Sequence, residues 1–205
     1  MFYKTDGPHG LPHNPFLSLI VPRPIGWISS ISAAGVVNLA PYSYFNGVAG
    51  NPPMVMFASS GRQPHGPKDS LANIEATGEF VCNMATWDLR EQMSMTSSPA
   101  PADVDEFRLA GIETEPAELV RPPRVKGSPV HLECRYHATV ELPCNGKDKG
   151  ERNAICIGRV IGIHIDDAVL VDGRVDVKRI RPIARLGYQD YAVVDTVFTM
   201  VRPGA

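Results

Sequence analysis

Residues 35–60, GVVNLAPYSYFNGVAGNPPMVMFASS, combine the apolar alternation of a β-sheet with a high density of small and polar residues. Asn38, Pro41, Ser43 and Asn46 interrupt the strand pattern, and a pair of prolines follows them. Such a segment either turns the chain or brings its backbone close to a flat ligand. Backbone donors reach a flat ligand only where the neighbouring side chains are small.

Strand signals dominate the rest of the chain. Residues 24–32 and the VVNLA after the SAAG turn predict a β-hairpin. Further strands are predicted at 53–60, 79–86, 130–142, 154–165 and 192–201, and Asp172-Gly173 predicts a tight turn between apolar runs. The segment 130–142 alternates with a period of two, which predicts one buried face and one wetted face that carries His131, Glu133 and His137. The segment 154–165 is apolar on both faces, as in a strand covered on two sides.

Three short helices are predicted between the strands. The first spans KDSLANIEATGE, with a cap at Asp69 or Ser70 and an end at Gly78. The others are WDLREQMSM and DVDEFRLAG, and the segments 97–103 and 120–129 are predicted as surface loops. Because these helices do not alternate regularly with strands, the pattern favours a mainly β fold, one antiparallel barrel with a few peripheral α-helices.

Composition excludes several classes of function. A net charge of -2 without a basic cluster argues against nucleic-acid binding. The N-terminus does not resemble a secretory signal, and no run approaches the roughly 20 apolar residues of a membrane helix. The four cysteines show no CxxC spacing, so we expect buried free thiols and a cytoplasmic location.

Among the motifs that could carry a function, one segment remains a candidate for binding an anion. His131 and His137 share a strand face but lie about 20 Å apart, so no metal site is predicted. No Rossmann glycine fingerprint and no nucleophile elbow is present. The segment GRQPHGPKDS is not a nucleotide-hydrolysing loop, because Pro67 lacks a donor and Asp69 separates Lys68 from Ser70. Lys68 beside a helix start is still suited to hold one phosphate.

Four segments together resemble a known family. They are RPIGWISSISAAGVVNLAPYSYFNGVAGNPPMVMFASS, KDSLANIEATGEFVCNMAT, AICIGRVIGIHIDD and IARLGYQDYAVVDTVFTMVRP, in that order. They are similar to the flavin reductase-like family of FMN-binding split barrels, in the branch that includes flavoredoxins. The resemblance covers residues 21–203 and implies a single split-barrel domain over 21–205, preceded by an N-terminal extension over 1–20. It also implies a homodimer with one FMN per protomer near the interface, where the RLGYQDY segment of the second subunit helps to wall the flavin.

The resemblance also implies a set of flavin-binding residues. Those expected along the ring are Asn38, Ala40, Pro41 and Ser43. Those expected at the ribityl phosphate are Ser59, Ser60 and Lys68, and those expected to complete the cleft are Trp27, Ser29, Ser30 and Asn83. Taken alone, each has a simpler interpretation: the serines as strand-end residues that satisfy local backbone, Lys68 as a solvated helix-start residue, and Trp27 as core.

The implied activity is hydride transfer from NADH or NADPH to FMN. That step requires no side-chain acid or base, because the cofactor carries the chemistry, so we predict no catalytic residue. The reduced flavin then leaves for a partner oxygenase or stays bound. Two alternatives remain: a flavoredoxin-like electron carrier that uses nicotinamides poorly, and a ligand-free barrel that serves as an interaction module.

Overall fold

A computed structural model describes residues 1–61, 68–144 and 151–204 of the chain. The strands in these ranges are β1 (Arg23–Pro24), β2 (Gly26–Ile31), β3 (Val37–Tyr42), β4 (Phe45–Gly50), β5 (Pro53–Gly61), β6 (Glu79–Met84), β7 (Thr114–Glu115), β8 (Arg124–Val125), β9 (Val130–Leu142), β10 (Arg152–Ile165), β11 (Leu170–Val171), β12 (Arg174–Val175), β13 (Ile183–Arg185) and β14 (Tyr191–Val193). The helices are α1 (Asp69–Thr77), α2 (Arg90–Met95), α3 (Glu106–Leu109) and α4 (Val177–Ile180), with short 3₁₀ turns at Phe16–Ser18 and Asp167–Val169.

Seven antiparallel strands form the central sheet, in the order β3-β2-β6-β9-β10-β5-β4. Its two edge strands, β3 and β4, are separated along the chain by two residues only, so the chain joins one edge to the other. At this corner the Tyr42 and Phe57 rings pack with centroids 4.6 Å apart, and the Ala58 N–H donates to the Tyr44 carbonyl at 2.8 Å. The sheet therefore curls into the barrel that the sequence predicts.

The curled sheet separates two apolar cores. Successive side chains of a strand point to opposite faces, and β2 shows this directly. Ile28 packs inside the barrel with Phe57 and Phe80, whereas Trp27 packs on the other face with Leu39 and other apolar residues of the second core. Because β2 is buried on both faces, even its serines have no contact with solvent.

Most of the predicted elements are confirmed. The first hairpin is β2 and β3, Gly78 ends α1 in the left-handed conformation at φ 76°, and Asp172-Gly173 forms the turn between β11 and β12 with φ values of 49° and 73°. The helix start is wrong by one residue, since Lys68 occupies the N-cap position of α1. The strand over 192–201 is also largely wrong, because β14 ends at Val193 and the apolar side chains from Val197 onward are exposed.

The two-faced prediction for β9 is only half correct. His131 and Glu133, predicted on the wetted face, are 3% and 0% exposed. The segment that carries β7 and β8 covers them, and the backbone N–H groups of Glu118 and Leu119 donate to the Glu133 carboxylate at 2.8 and 2.6 Å. The predicted surface loop at 120–129 therefore includes a buried part, Val125, which is 0% exposed.

All four cysteines of the chain are free thiols. Cys82, Cys134 and Cys156 are buried free thiols in the barrel core, and Cys144 is half-buried.

Over the described ranges, no helix is both long enough and apolar enough to cross a membrane.

Candidate functional site

Two adjoining cavities lie beside the edge strand β3. The first, which we call the polar cleft, has a volume of about 180 Å³ and is lined by Asn38, Ala40, Pro41, Tyr42, Lys68, Asp69, Ser70, Thr96, Ser97, Ser98 and Glu106. The second, the adjacent cavity, has a volume of about 290 Å³ and is lined by Leu17, Arg23, Ile25, Pro41, Ser43, Met93, Ser97, Arg185, Leu186, Tyr188 and Tyr191. Both are lined by Pro41 and Ser97, so they lie side by side. We call the two together the trough, with the polar cleft as its polar end and the adjacent cavity as its more apolar, aromatic end.

The structure brings five of the predicted site residues to this trough. Asn38, Ala40, Pro41 and Lys68 line the polar cleft, and Ser43 lines the adjacent cavity. The small residues of β3 are therefore the ones that face a ligand-sized space. Of the two interpretations of this stretch, the geometry favours close approach to a ligand over a simple turn.

Ser59 and Ser60 lie near the end of β5 and point to opposite faces. Ser59 is buried, whereas Ser60 is exposed. Strand geometry therefore separates the two hydroxyls that were predicted to act together. Residues 62–67, which connect the two serines to Lys68 along the chain, lie outside the described part of the structure.

The remaining predicted residues form a buried network behind the trough. Trp27 Nε1 donates to Thr96 Oγ1 at 2.9 Å, Asn83 Nδ2 donates to the Trp27 carbonyl at 2.9 Å, and Ser29 Oγ donates to the Pro123 carbonyl at 2.6 Å. Ser30 Oγ accepts from Asn73 Nδ2 at 3.3 Å. Because their polar atoms bond within the protein, these four residues support the walls of the trough and do not line it.

The side of the polar cleft that faces β3 is not predicted by the sequence. Thr96, Ser97 and Ser98 follow α2, and Glu106 begins α3, which packs on β3. The three consecutive hydroxyl residues at the end of a predicted helix are a usable signal, but the sequence pattern assigns Ser97 and Ser98 to a surface loop over 97–103. Nothing in the sequence around Glu106 distinguishes it from an exposed helix residue.

Burial shifts the pKa values of three side chains that line the polar cleft. Desolvation lowers the pKa of Lys68, whose Nζ lies 5.7 Å from the centroid of the Tyr42 ring. Desolvation also raises the pKa of Tyr42 to about 12 and raises the pKa of Glu106. A partly desolvated ammonium group beside a polar cleft favours an anionic ligand, because the ligand restores the electrostatic stabilisation that burial removed.

The start of α1 adds backbone donors to the same end of the trough. Within the described residues no side chain caps α1 at Lys68. The first N–H groups of a helix have no partner inside it and, together with the helix dipole, attract phosphate. Lys68 and the start of this nine-residue helix therefore suit a phosphate group, and the adjacent cavity suits a flat ring.

The sequence of the chain matches the model of the flavin reductase like domain over residues 17–181. An uncharacterized protein of Aquifex aeolicus is 36% identical over 176 residues, which cover 85% of this chain and 86% of the relative. The structure is similar to nitrilotriacetate monooxygenase component B from Bacillus cereus, with a TM-score of 0.82, 28% identity, and coverage of 95% of this chain and 100% of the other. The flavoredoxin of Desulfovibrio vulgaris (Miyazaki F) shares the fold, with a TM-score of 0.75 and 15% identity over 99% of each chain.

Proposed function

Since this chain belongs to the flavin reductase-like family, we propose that it binds FMN in the trough beside β3 and reduces it with NADH or NADPH. The observation that carries the proposal is the juxtaposition of Lys68, the start of α1, which no side chain of the described residues caps, and the small residues of β3 around two adjoining cavities. The residues present suit FMN, because one end of the trough offers donors to a phosphate and the other offers aromatic and aliphatic walls to a ring.

Each part of the trough has a distinct task in this proposal. Lys68 and the first N–H groups of α1 bind the phosphate, while Ala40 and Pro41 allow the backbone of β3 to approach the ring. Tyr188 and Tyr191 bound the adjacent cavity from their own chain, together with Arg185, whose guanidinium lies 4.5 Å from the centroid of the Tyr191 ring. The RLGYQDY segment therefore walls the trough of its own protomer. When bound, the flavin supplies the acceptor for a hydride from the nicotinamide.

The proposal includes a homodimer and a transfer of reduced FMN to a second protein. Ile163 and Ile165, on one face of β10, are 58% and 40% exposed, which leaves an apolar stripe suited to a second copy. The similarity to a monooxygenase component supports an oxygenase as the consumer of reduced FMN.

An anaerobic titration tests the reaction. Protein loaded with FMN is titrated with NADH and, separately, with NADPH, and the flavin absorbance is followed against an equal concentration of free FMN. We expect the protein-bound flavin to bleach faster with at least one nicotinamide. If bound FMN stays oxidised with both, the protein is an electron carrier of the flavoredoxin type. Failure to bind added FMN contradicts the whole proposal and leaves the interaction module.

A further inference from the structure

Glu106, the first residue of α3, is a buried carboxyl group in the wall of the polar cleft. Its side chain has almost no contact with solvent, and its Oε2 accepts two hydrogen bonds from β3. The Leu39 N–H donates to Oε2 at 3.0 Å, and Asn38 Nδ2 donates to the same oxygen at 3.3 Å. Glu106 therefore holds both the backbone and a side chain of the strand that faces the ligand space.

These two bonds fix the orientation of the Asn38 amide. Because Oε2 accepts from the Leu39 N–H, Asn38 must present its NH₂ group to Glu106 and its oxygen to the other side. That oxygen accepts from Ser70 Oγ at 3.2 Å, and Ser70 lies in the first turn of α1. A flipped amide would place Asn38 Oδ1 against Glu106 Oε2, and two acceptor oxygens repel each other. Ser70 of α1 and Glu106 of α3 therefore hold the amide in one orientation.

Within the described part of the chain, one N–H of Asn38 remains available to a ligand. Glu106 takes one hydrogen of Nδ2, and over residues 1–61, 68–144 and 151–204 the second has no acceptor. Asn38 lines the polar cleft next to Ala40 and Lys68. Phosphate oxygens and the carbonyl and imine atoms of a flavin ring are all acceptors, so an oriented donor matches either part of FMN.

We propose that Glu106 is a positioning residue for the flavin: it locks the Asn38 amide so that its second N–H is directed at an acceptor atom of bound FMN. This inference rests on the FMN-binding function proposed above. Since both bonds end on one oxygen, the lock depends on an acceptor and not on the negative charge. A glutamine at this position retains such an oxygen, whereas an alanine removes it.

The test compares FMN dissociation constants, measured by flavin fluorescence, for Glu106→Gln, Glu106→Ala, Asn38→Ala and the double alanine variant. Loss of a buried hydrogen-bonding partner typically changes an equilibrium by about tenfold. We expect Glu106→Ala to weaken FMN binding about tenfold and Glu106→Gln to stay within about twofold of the wild type. In the Asn38→Ala background, the same Glu106→Ala change should have an effect of less than about twofold, since Glu106 acts through Asn38.

Asp105→Ala is the matched control for a purely structural effect. Asp105 caps α3 by accepting from the N–H groups of Phe107 and Arg108 at 2.9 and 3.3 Å, and it does not line the trough. We expect this variant to lower the melting temperature while FMN affinity stays unchanged. If Glu106→Ala binds FMN as the wild type does, or if its loss is undiminished in the Asn38→Ala background, the positioning role is wrong.

A second measurement separates this inference from the proposed function. In flavin-free protein, the side-chain amide signals of Asn38 in a ¹⁵N–¹H NMR spectrum should move in Glu106→Ala and remain in place in Glu106→Gln. An unchanged signal in Glu106→Ala overturns the lock even if the wild type binds FMN. Wild-type protein that rejects FMN but shows the expected signals retains the lock, and only the function proposed above fails.

Discussion

Replacing Lys68 should separate the phosphate end of the trough from the ring end. Lys68→Met removes the ammonium group but keeps an unbranched apolar side chain beside Tyr42. Burial already lowers the pKa of Lys68, so in the free protein its charge is incompletely solvated. A phosphate placed in the polar cleft supplies the opposite charge where water is partly excluded, and a charge-assisted hydrogen bond results.

The expected loss follows from that bond. Hydrogen bonds to charged groups contribute about 1.5–3 kcal/mol, which corresponds to roughly a 10- to 150-fold rise in the FMN dissociation constant. Riboflavin has the same ring and no phosphate, so its affinity should not change. The preference of the protein for FMN over riboflavin should therefore collapse. The free energy of unfolding should change little, because the unbranched apolar side chain of methionine can keep the contact with Tyr42.

Fluorescence titrations with FMN and with riboflavin measure this prediction, and urea unfolding checks the fold. Lys178→Met is the matched control, because Lys178 also lies at the start of a helix, is exposed and belongs to α4, away from the trough. It changes the net charge equally and should leave both affinities unaltered. The reasoning is refuted if Lys68→Met keeps FMN affinity within twofold, or if FMN and riboflavin affinities fall in parallel.

Three further predictions concern assembly and stability. Ile163→Asp should convert the dimer into monomers that lose FMN, whereas Val175→Asp, at an exposed valine of a short hairpin, should leave both the dimer and the bound FMN unchanged. Light scattering measures the mass of the particle, and flavin absorbance measures the bound FMN. Gly158→Ala should lower the free energy of unfolding in urea by about 1–3 kcal/mol, because the added methyl overlaps a fully buried phenylalanine ring, whereas Gly50→Ala meets open space. Burial lowers the pKa of His131 below its ordinary 6.5, so on acidification the imidazole is protonated in the unfolded chain before it is protonated in the folded one. The free energy of unfolding in urea should therefore fall as the pH drops below about 6.5, and this fall should be smaller in His131→Gln.

The strands could be predicted from sequence because their signals are local. The apolar pattern of 130–142 and the Asp172-Gly173 pair depend on neighbouring residues only, and the strand and the turn that they predict both appear in the structure. What covers each face is not local. Glu133 and His131 occupy polar positions of a sound strand pattern, yet a segment that precedes β9 by several residues lies over them and supplies their hydrogen-bond partners.

The same limit explains why sequence analysis found one side of the trough and missed the other. The pattern predicts that β2 and β3 pair, but it does not give the order of the sheet, and only the order shows that β3 is an edge strand. An edge strand has backbone groups without a strand partner, which other parts of the fold must satisfy. In this chain the Leu39 N–H donates to Glu106, 67 residues away. The carboxyl group of Glu106 that accepts from this edge also orients the Asn38 amide. Asn38 is predicted from the sequence as a site residue, but the direction in which it presents its donor depends on Glu106, which the sequence does not reveal.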